Sequence, residues 1–447
     1  MKRNAEFVRQ LWLHCTPRQI GWTLALSGLL VAIPWAFSQS NHRAIEWVAV
    51  PGLWIASVLY GSLLATSSLG QELRDNTWDW QRLSALSPWQ MAWGKWLGST
   101  LNAWLYVLCF AVAAWASGLF AGAPFQALNL KTVGLAVLSG MVLQVWLMNA
   151  VLLGWHNKSW SWQRTVLLPL VLLWWLPGMT TSKLLKLLQT TDGHILWWGW
   201  GLSPAQAHTV IGLGLLALGW LALWRQMSQR LDVATLPWAW PLGIVALALL
   251  VGGLVPQSVG AALSWISCMA LLATAYIALY ALRDGLPQWR RVQWHASRKQ
   301  WRGALQALPL WPVSWVLGMA AAILWMLWPG ATHGYALSVP WLVALVGLQL
   351  LRDALVLTGI SLLSGQLRNP TTTFGLAWLV LNALLPLLAL GISGPLLASA
   401  LQPLVGYALL TSSKWPALTF VAIVLVQVAL ALVWCIWVFR RQVVGRV

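Results

Sequence analysis

The sequence predicts an all-α polytopic membrane protein of about 12 transmembrane helices, arranged as two parallel six-helix repeats with both termini in the cytoplasm. Three observations predict it. Of 447 residues, 59% are hydrophobic and only 8% charged, with a mean hydropathy of +0.70, too apolar for a soluble domain. The apolar residues gather in runs close to the roughly 20 that a helix needs to cross a bilayer. A bilayer core requires backbone polar groups to be satisfied within the segment, which excludes open sheets. Finally, related short stretches recur in the same order in the two halves of the chain.

The first element expected is an interfacial helix over residues 4–15, with Phe7, Val8, Leu11, Trp12 and Cys15 on one face and Arg9 and Gln10 off it. Lys2, Arg3 and Arg9 ahead of the apolar run Ile20 to Phe37 imitate a secretory leader, but the stretch is too long for one. Spans follow near 20–37, 45–69, 96–121, 133–154, 165–178 and 208–224. A second series lies near 239–255, 259–282, 313–329, 338–363, 374–393 and 417–439. With the N-terminus inside, only Arg43, Lys131, Lys183, Lys186 and Lys414 of the 27 Lys and Arg fall in outer loops, and Arg352 falls within a span. The remaining cations lie on the inner side, which sets the orientation.

The halves are expected as residues 1–232 and 233–447. Leu73-Arg74-Asp75-Asn76 closes the second span of one, and Leu282-Arg283-Asp284-Gly285 the second span of the other. LSALSPW, Leu83 to Trp89, is echoed by LQALPLW, Leu305 to Trp311, and Arg225-Gln226 by Arg441-Gln442 after the sixth spans. In each half the fifth span is short or broken by proline (Pro169, Pro177; Pro386). The stretches after it, residues 181–204 and 394–416, read as short outer-face helices.

The net charge of +18 does not imply nucleic acid, because the cations are scattered through short loops as positive-inside topology produces. Cys15, Cys109, Cys268 and Cys435 have no metal-binding spacing, and the seven histidines form no HExxH or helical pair, so no metal site is expected. Many of the 38 tryptophans, among them Trp78, Trp80, Trp89, Trp93 and Trp96, border span ends, where interfacial anchoring explains them better than cargo lining.

Against this sparse background the inner segment 70–95 concentrates charge: Glu72, Arg74, Asp75, Asp79 and Arg82. Three of the chain's nine acids, Glu72, Asp75 and Asp79, stand at i, i+3 and i+7, one face of a helix. Acid beside an anionic leaflet is repelled by lipid, so a protein partner is the expected reader of that face.

Glu72, then Asn76-Thr77, Leu83 to Pro88 and Gly94-Lys95, resembles the membrane subunits of ABC transporters, specifically the type-2 permeases of the exporter class. In that family a Glu ends the second span, a Gly-Thr pair follows, and a short coupling helix leads through a Pro to a Gly-Lys opening the third. Here Asn76 replaces the Gly; the second half keeps Gly285 but has Leu286 and Ala281 where Thr and Glu would stand. The resemblance implies that Glu72, Arg74, Asp75, Asn76, Thr77, Asp79, Arg82, Pro88 and Lys95 couple the chain to a separate cytoplasmic P-loop ATPase, in two copies. It also implies ATP and Mg on that partner, a bacterial plasma membrane, and an exporter, with a second permease or accessory subunit left open. The chain has no GxxxxGK[ST], so hydrolysis falls to another polypeptide and the chain itself is not expected to be catalytic.

The second inner segment, 283–311, carries Arg283, Asp284, Arg291, Arg298 and Arg302. Beyond Pro287 its Trp294, Trp301, Leu305 and Leu308 read as one stripe of a basic amphipathic helix, resting on anionic lipid or on a partner. Arg352 and Asp353 stand mid-span. Because adjacent helical residues diverge by about 100°, each is expected to find a partner other than its neighbour, in either interhelix packing or the transport pathway.

Two other functions compete. An integral-membrane enzyme acting on lipid-linked substrates, glycosyl- or acyltransferase-like, needs clustered acids or a His at a membrane face, and none is visible. A secondary transporter needs buried relay charges, which most spans lack.

Overall fold

The computed structural model describes residues 4–37, 43–75, 81, 86–120, 127–154, 194–231, 233, 235–254, 259–280, 285–328, 339–363, 379–384, 386–388, 391 and 417–441. The chain divides into two compact units, Met1–Thr235 and Leu236–Val447. Among the described residues seven helices are long and apolar enough to cross a membrane.

Unit one opens with α1 (Ala5–His14), capped by Asn4, whose side chain accepts bonds from the backbone N–H of Glu6 at 3.1 Å and Phe7 at 3.4 Å. After it come α2 (Pro17–Phe37) and α3 (Arg43–Trp54), then a π-helical turn (Ile55–Tyr60) that leads without a break into α4 (Gly61–Arg74). The unit continues with α5 (Pro88–Phe120), α6 (Ala127–Gly154), strands β1 (Ile195–Trp197) and β2 (Trp200–Leu202), and α7 (Pro204–Arg230). Unit two holds α8 (Ala239–Gly252), α9 (Val259–Tyr280), α10 (Gly285–Ser297), α11 (Trp301–Ala307), α12 (Leu310–Leu327), α13 (Val339–Leu362), a π-helical turn (Val380–Leu384) and α14 (Ala417–Phe439). The expected span at 165–178 lies outside the described residues, as does half of that at 374–393 and all of the stretch 394–416.

The polarity of α2 is inverted relative to a helix of a soluble protein. In α2 the buried residues are Thr23 and Ser27, whereas Trp22, Leu24, Leu26, Leu29, Leu30 and Ile33 face outward. Thr23 bonds Asn102 of α5 at 2.6 Å, so the polar stripe turns to protein and the apolar surface to lipid. This pattern, with the length and composition of the seven helices, makes the chain a multi-pass membrane protein.

In unit one α5 is central, touching α1, α2, α3, α4 and α7. Its N-terminal half offers small or hydrogen-bonding residues on several faces (Gly94, Gly98, Ser99, Thr100, Asn102, Ala103), letting neighbours approach closely. The packing partners of the two units correspond. In the first, α2 meets α3 and α5, the α3–α4 span meets α5 and α6, α5 meets α6, and α6 meets α7. In the second, α8 meets α9 and α12, α9 meets α12 and α13, α12 meets α13, and α13 meets α14. The last pair is a regular seam: Val424, Val428, Ala431, Cys435 and Val438 recur at alternating steps of four and three, and the buried faces include Leu345, Ala354 and Leu362 of α13.

One expectation is corrected. Within 181–204, the described residues form a β-hairpin, not a helix, with Trp197 paired to Trp200. The two turn residues, Trp198 and Gly199, both have positive φ (49° and 85°), the backbone that joins twisted strands in two residues and that a helix cannot accept.

Candidate functional site

Helix α1, the C-terminal end of α4 and the N-terminal end of α5 meet in one buried polar cluster. Asn4 fixes α1 to the start of α5 by donating to the Gln90 carbonyl at 2.7 Å. That start is itself a reciprocal cap: Ser87 N–H donates to Gln90 Oε1 at 3.0 Å and Gln90 N–H to Ser87 Oγ at 3.2 Å, with Pro88 as the first helical residue. The next turn carries Gly94 and Gly98. A Cβ on Gly94 would stand 2.8 Å from Glu6 Cβ and from the Phe7 backbone nitrogen, and one on Gly98 would collide with Gln10 Cβ. Only glycine lets α1 lie this close.

Lys95, between the two glycines, reaches into the contact. Its Nζ lies 3.0 Å from Glu6 Oε1 and also pairs with Glu72 Oε2 from the end of α4. Arg9 bonds Glu6 at 2.8 Å and 3.0 Å and pairs with Glu72, while Gln10 Nε2 donates to Glu6 at 3.0 Å and to Glu72 at 2.6 Å. Gln81 Nε2 adds a bond to Glu72 at 3.2 Å, and Ser68 Oγ donates to Gln10 Oε1 at 3.1 Å. Two carboxylates thus meet two cations, with charge balanced and the remaining lone pairs filled by amides, the condition for tolerating buried charge. Burial alone would raise the Glu6 carboxyl, but the bonds from Arg9 and Gln10 and the Lys95 charge hold it below its ordinary range. His14, 3.1 Å from Ser68 Oγ, is pushed down chiefly by burial.

This geometry corrects the reading of the acidic face. Helix α4 ends at Arg74, and Asp75 is its C-cap with φ −80° and ψ 2°. Glu72 is buried (8% exposed) on the protein side while Arg74 and Asp75 are exposed, so Glu72 and Asp75 do not share one face. The buried cation Lys95 draws Glu72 inward. Asn76, Thr77, Asp79 and Arg82 lie outside the described residues. The polar face of α1, Glu6 and Gln10, is buried against protein, and Trp12 and Leu13 are 78% and 57% exposed.

Sequence reasoning placed Glu72 and Lys95 in one segment and missed Glu6, Arg9 and Gln10 as their partners. A charged residue three or four places from another in an otherwise greasy terminus was the available signal. It also assigned Trp96 to the interface, whereas Trp96 is 2% exposed. Its Nε1 donates to Gln144 Oε1 at 2.9 Å, and Gln144 Nε2 donates to the Ser57 carbonyl in the π-helical turn at 2.8 Å. Trp220 stacks on Trp93 at 4.0 Å between centroids and meets Trp96 edge-on at 5.4 Å.

In unit two Arg352 and Asp353 do pair with each other, through Arg352 Nε at 2.9 Å and Nη2 at 2.7 Å to Asp353 Oδ1. The expected divergence of adjacent residues is overcome by the length of the arginine side chain, which curls back along the helix surface. Arg352 also donates to Gln427 Oε1 of α14 at 2.6 Å and to Asn382 of the second π-helical turn, linking three elements. Arg291, Arg298 and Arg302 are exposed; Arg283 and Asp284 lie outside the described residues. The single basic helix expected there is two, because Lys299 takes a left-handed backbone (φ 58°) and Gly303 packs back against the His295 ring. Among the described residues no group of three or more His, Cys, Asp or Glu is placed to hold a metal.

Comparison with family models, with curated proteins and with solved structures gave no match.

Proposed function

We propose that the chain is the permease subunit of an ATP-driven transporter, resembling the type-2 ABC exporters, in which a separate cytoplasmic ATPase supplies hydrolysis. One observation carries the reading. The segment between Asp75 and Ser87 is gripped at both ends by a single buried cluster, in which Glu72 on one side and Lys95 on the other are joined through Glu6, Arg9 and Gln10. A force on that segment passes at once to the α3–α4 span, to α5 and to the interfacial helix α1. With its carboxylates and cations paired to one another, the arrangement suits mechanical coupling better than bond-making chemistry.

The corresponding helix pairings of the two units support a duplicated, six-span-per-half layout with parallel repeats. On that layout one chain supplies both halves of the permease, a pair of ATPases docks on the inner face, and the orientation follows the positive-inside distribution of Lys and Arg. The test is to purify the tagged chain from its native membrane in mild detergent and measure stoichiometry by native mass spectrometry. Two copies of a P-loop ATPase per chain are expected. Absence of any ATPase, under conditions that keep a known ABC complex intact, would overturn the proposal.

A further inference from the structure

Helices α10 and α11 pack as a hairpin ahead of the spanning helix α12, and its two sides differ in chemistry. The inward side is held by Trp289, which packs against Leu362 at the end of α13 and Val438 of α14 and meets the Phe439 ring edge-on at 6.4 Å, and by the buried Ala304. His295 Nδ1 and Gln300 Oε1, 3.0 Å apart, brace the turn, and Gln300 N–H donates to the His295 carbonyl at 2.9 Å.

The outward side combines bulky apolar groups with cations. Trp294, Trp301 and Leu305 are 47%, 67% and 51% exposed, and Arg291, Arg298, Lys299 and Arg302 are exposed among them. The Arg298 guanidinium lies 4.0 Å over the Trp294 ring. The hairpin sequences GLPQWRRVQWHAS and WRGALQA contain no acid. Connectivity sets the depth: α11 ends at Ala307 and the spanning helix α12 begins at Leu310. At about 3.6 Å per residue, the end of α11 stays within roughly 11 Å of that span's start. That distance is comparable to the range over which an anionic leaflet attracts Lys and Arg.

We propose that this hairpin is a docking surface for anionic phospholipid of the leaflet it faces. Trp294, Trp301 and Leu305 enter the boundary between headgroups and acyl chains, and Arg291, Arg298, Lys299 and Arg302 pair with the phosphates. An acidic protein surface would complement the same charges, but exposed indole rings at the root of a span match the membrane interface. The inference stands apart from the coupling proposal, since it concerns a different segment and needs no ATPase.

The full chain is reconstituted in nanodiscs of phosphatidylcholine alone and of phosphatidylcholine with phosphatidylglycerol, and amide exchange is followed over residues 288–307. Exchange about tenfold slower in the phosphatidylglycerol discs is expected. The difference should vanish in a variant carrying Arg291→Gln, Arg298→Gln and Arg302→Gln, while Trp294→Ala with Trp301→Ala should speed exchange in both lipids. Unchanged exchange in α9 and α12 certifies that the variants are folded. Equal exchange in the two lipids, persistence of the difference in the arginine variant, or protection that requires added soluble protein would overturn the proposal.

Discussion

The ammonium of Lys95 and the carboxylate of Glu6, 89 residues apart in sequence, lie 3.0 Å apart with both side chains 3% exposed. Taking one member from such a pair strands a buried charge, which costs about 3–5 kcal/mol, whereas replacing both is milder. Lys95→Met should therefore lower the detergent-solubilised protein's thermal midpoint sharply. Adding Glu72→Gln to it should recover a large part of the loss. Equal midpoints for the two variants would show that the cluster carries no such coupling.

Acid should release α1. Burial raises the Glu6 carboxyl, but its bonds from Arg9 and Gln10 and its proximity to Lys95 outweigh that and keep it below its ordinary 4.5. A depressed carboxyl contributes stability that is complete above 4.5 and disappears as pH falls through the lower folded value. Relative to the intrinsic rate at each pH, amide exchange over residues 5–14 should lose protection below pH 4.5 in the wild type, and Glu6→Gln should flatten that response while weakening the helix at neutral pH.

The glycines under α1 can be tested by contrast. Gly98→Ala places a methyl against Gln10, so it should expose residues 5–14 to exchange and lower stability by roughly 1–3 kcal/mol, the usual cost of overpacking. Gly134→Ala in α6, where a Cβ meets nothing within 4 Å, should be neutral or gain about 0.5–1 kcal/mol from helix propensity. Similar midpoint shifts for the two would contradict the close approach.

Gln144 bridges Trp96 to the widened turn of the second span, donating to the Ser57 carbonyl at 2.8 Å. Gln144→Leu leaves the buried indole N–H and that carbonyl without this partner, at a cost of about 1–3 kcal/mol. Thermal unfolding should register the loss.

Asp353 neutralises an arginine in the interior of α13. Asp353→Asn should reduce stability by about 2.5–3.5 kcal/mol, the insertion cost of an uncompensated charge at a span centre. Exchanging Arg352 and Asp353 together for Met and Leu should be better tolerated. If Asp353→Asn instead leaves the midpoint untouched and abolishes transport, the pair serves the pathway and not packing.

How far the site was legible shows in its residues. Glu72 stood out because a charge is conspicuous in so apolar a chain, whereas Pro88 and Lys95 entered only through the resemblance to the permease pattern. Glu6 and Gln10 did not stand out, because the apolar stripe Phe7, Val8, Leu11 and Trp12 says where lipid or core lies and not which distant groups meet the polar side. In a lipid environment that polarity reverses, and the polar side seeks protein. Asp75 was grouped with Glu72 by helical periodicity, which says nothing about where the helix stops.

The sequence by itself determined the class of the molecule and the places of most of its spans, since both follow from the local cost of putting backbone and charge into hydrocarbon. It also determined a helix at residues 5–14 and the concentration of charge ahead of Pro88. Only the tertiary structure decided that Lys95 claims both Glu6 and Glu72, that Trp96 is core, that residues 195–202 fold as a hairpin, and that Arg352 turns back to Asp353. Each depends on which distant groups share a buried space, and a buried charge is satisfied by whatever partner the packing of helices brings within reach.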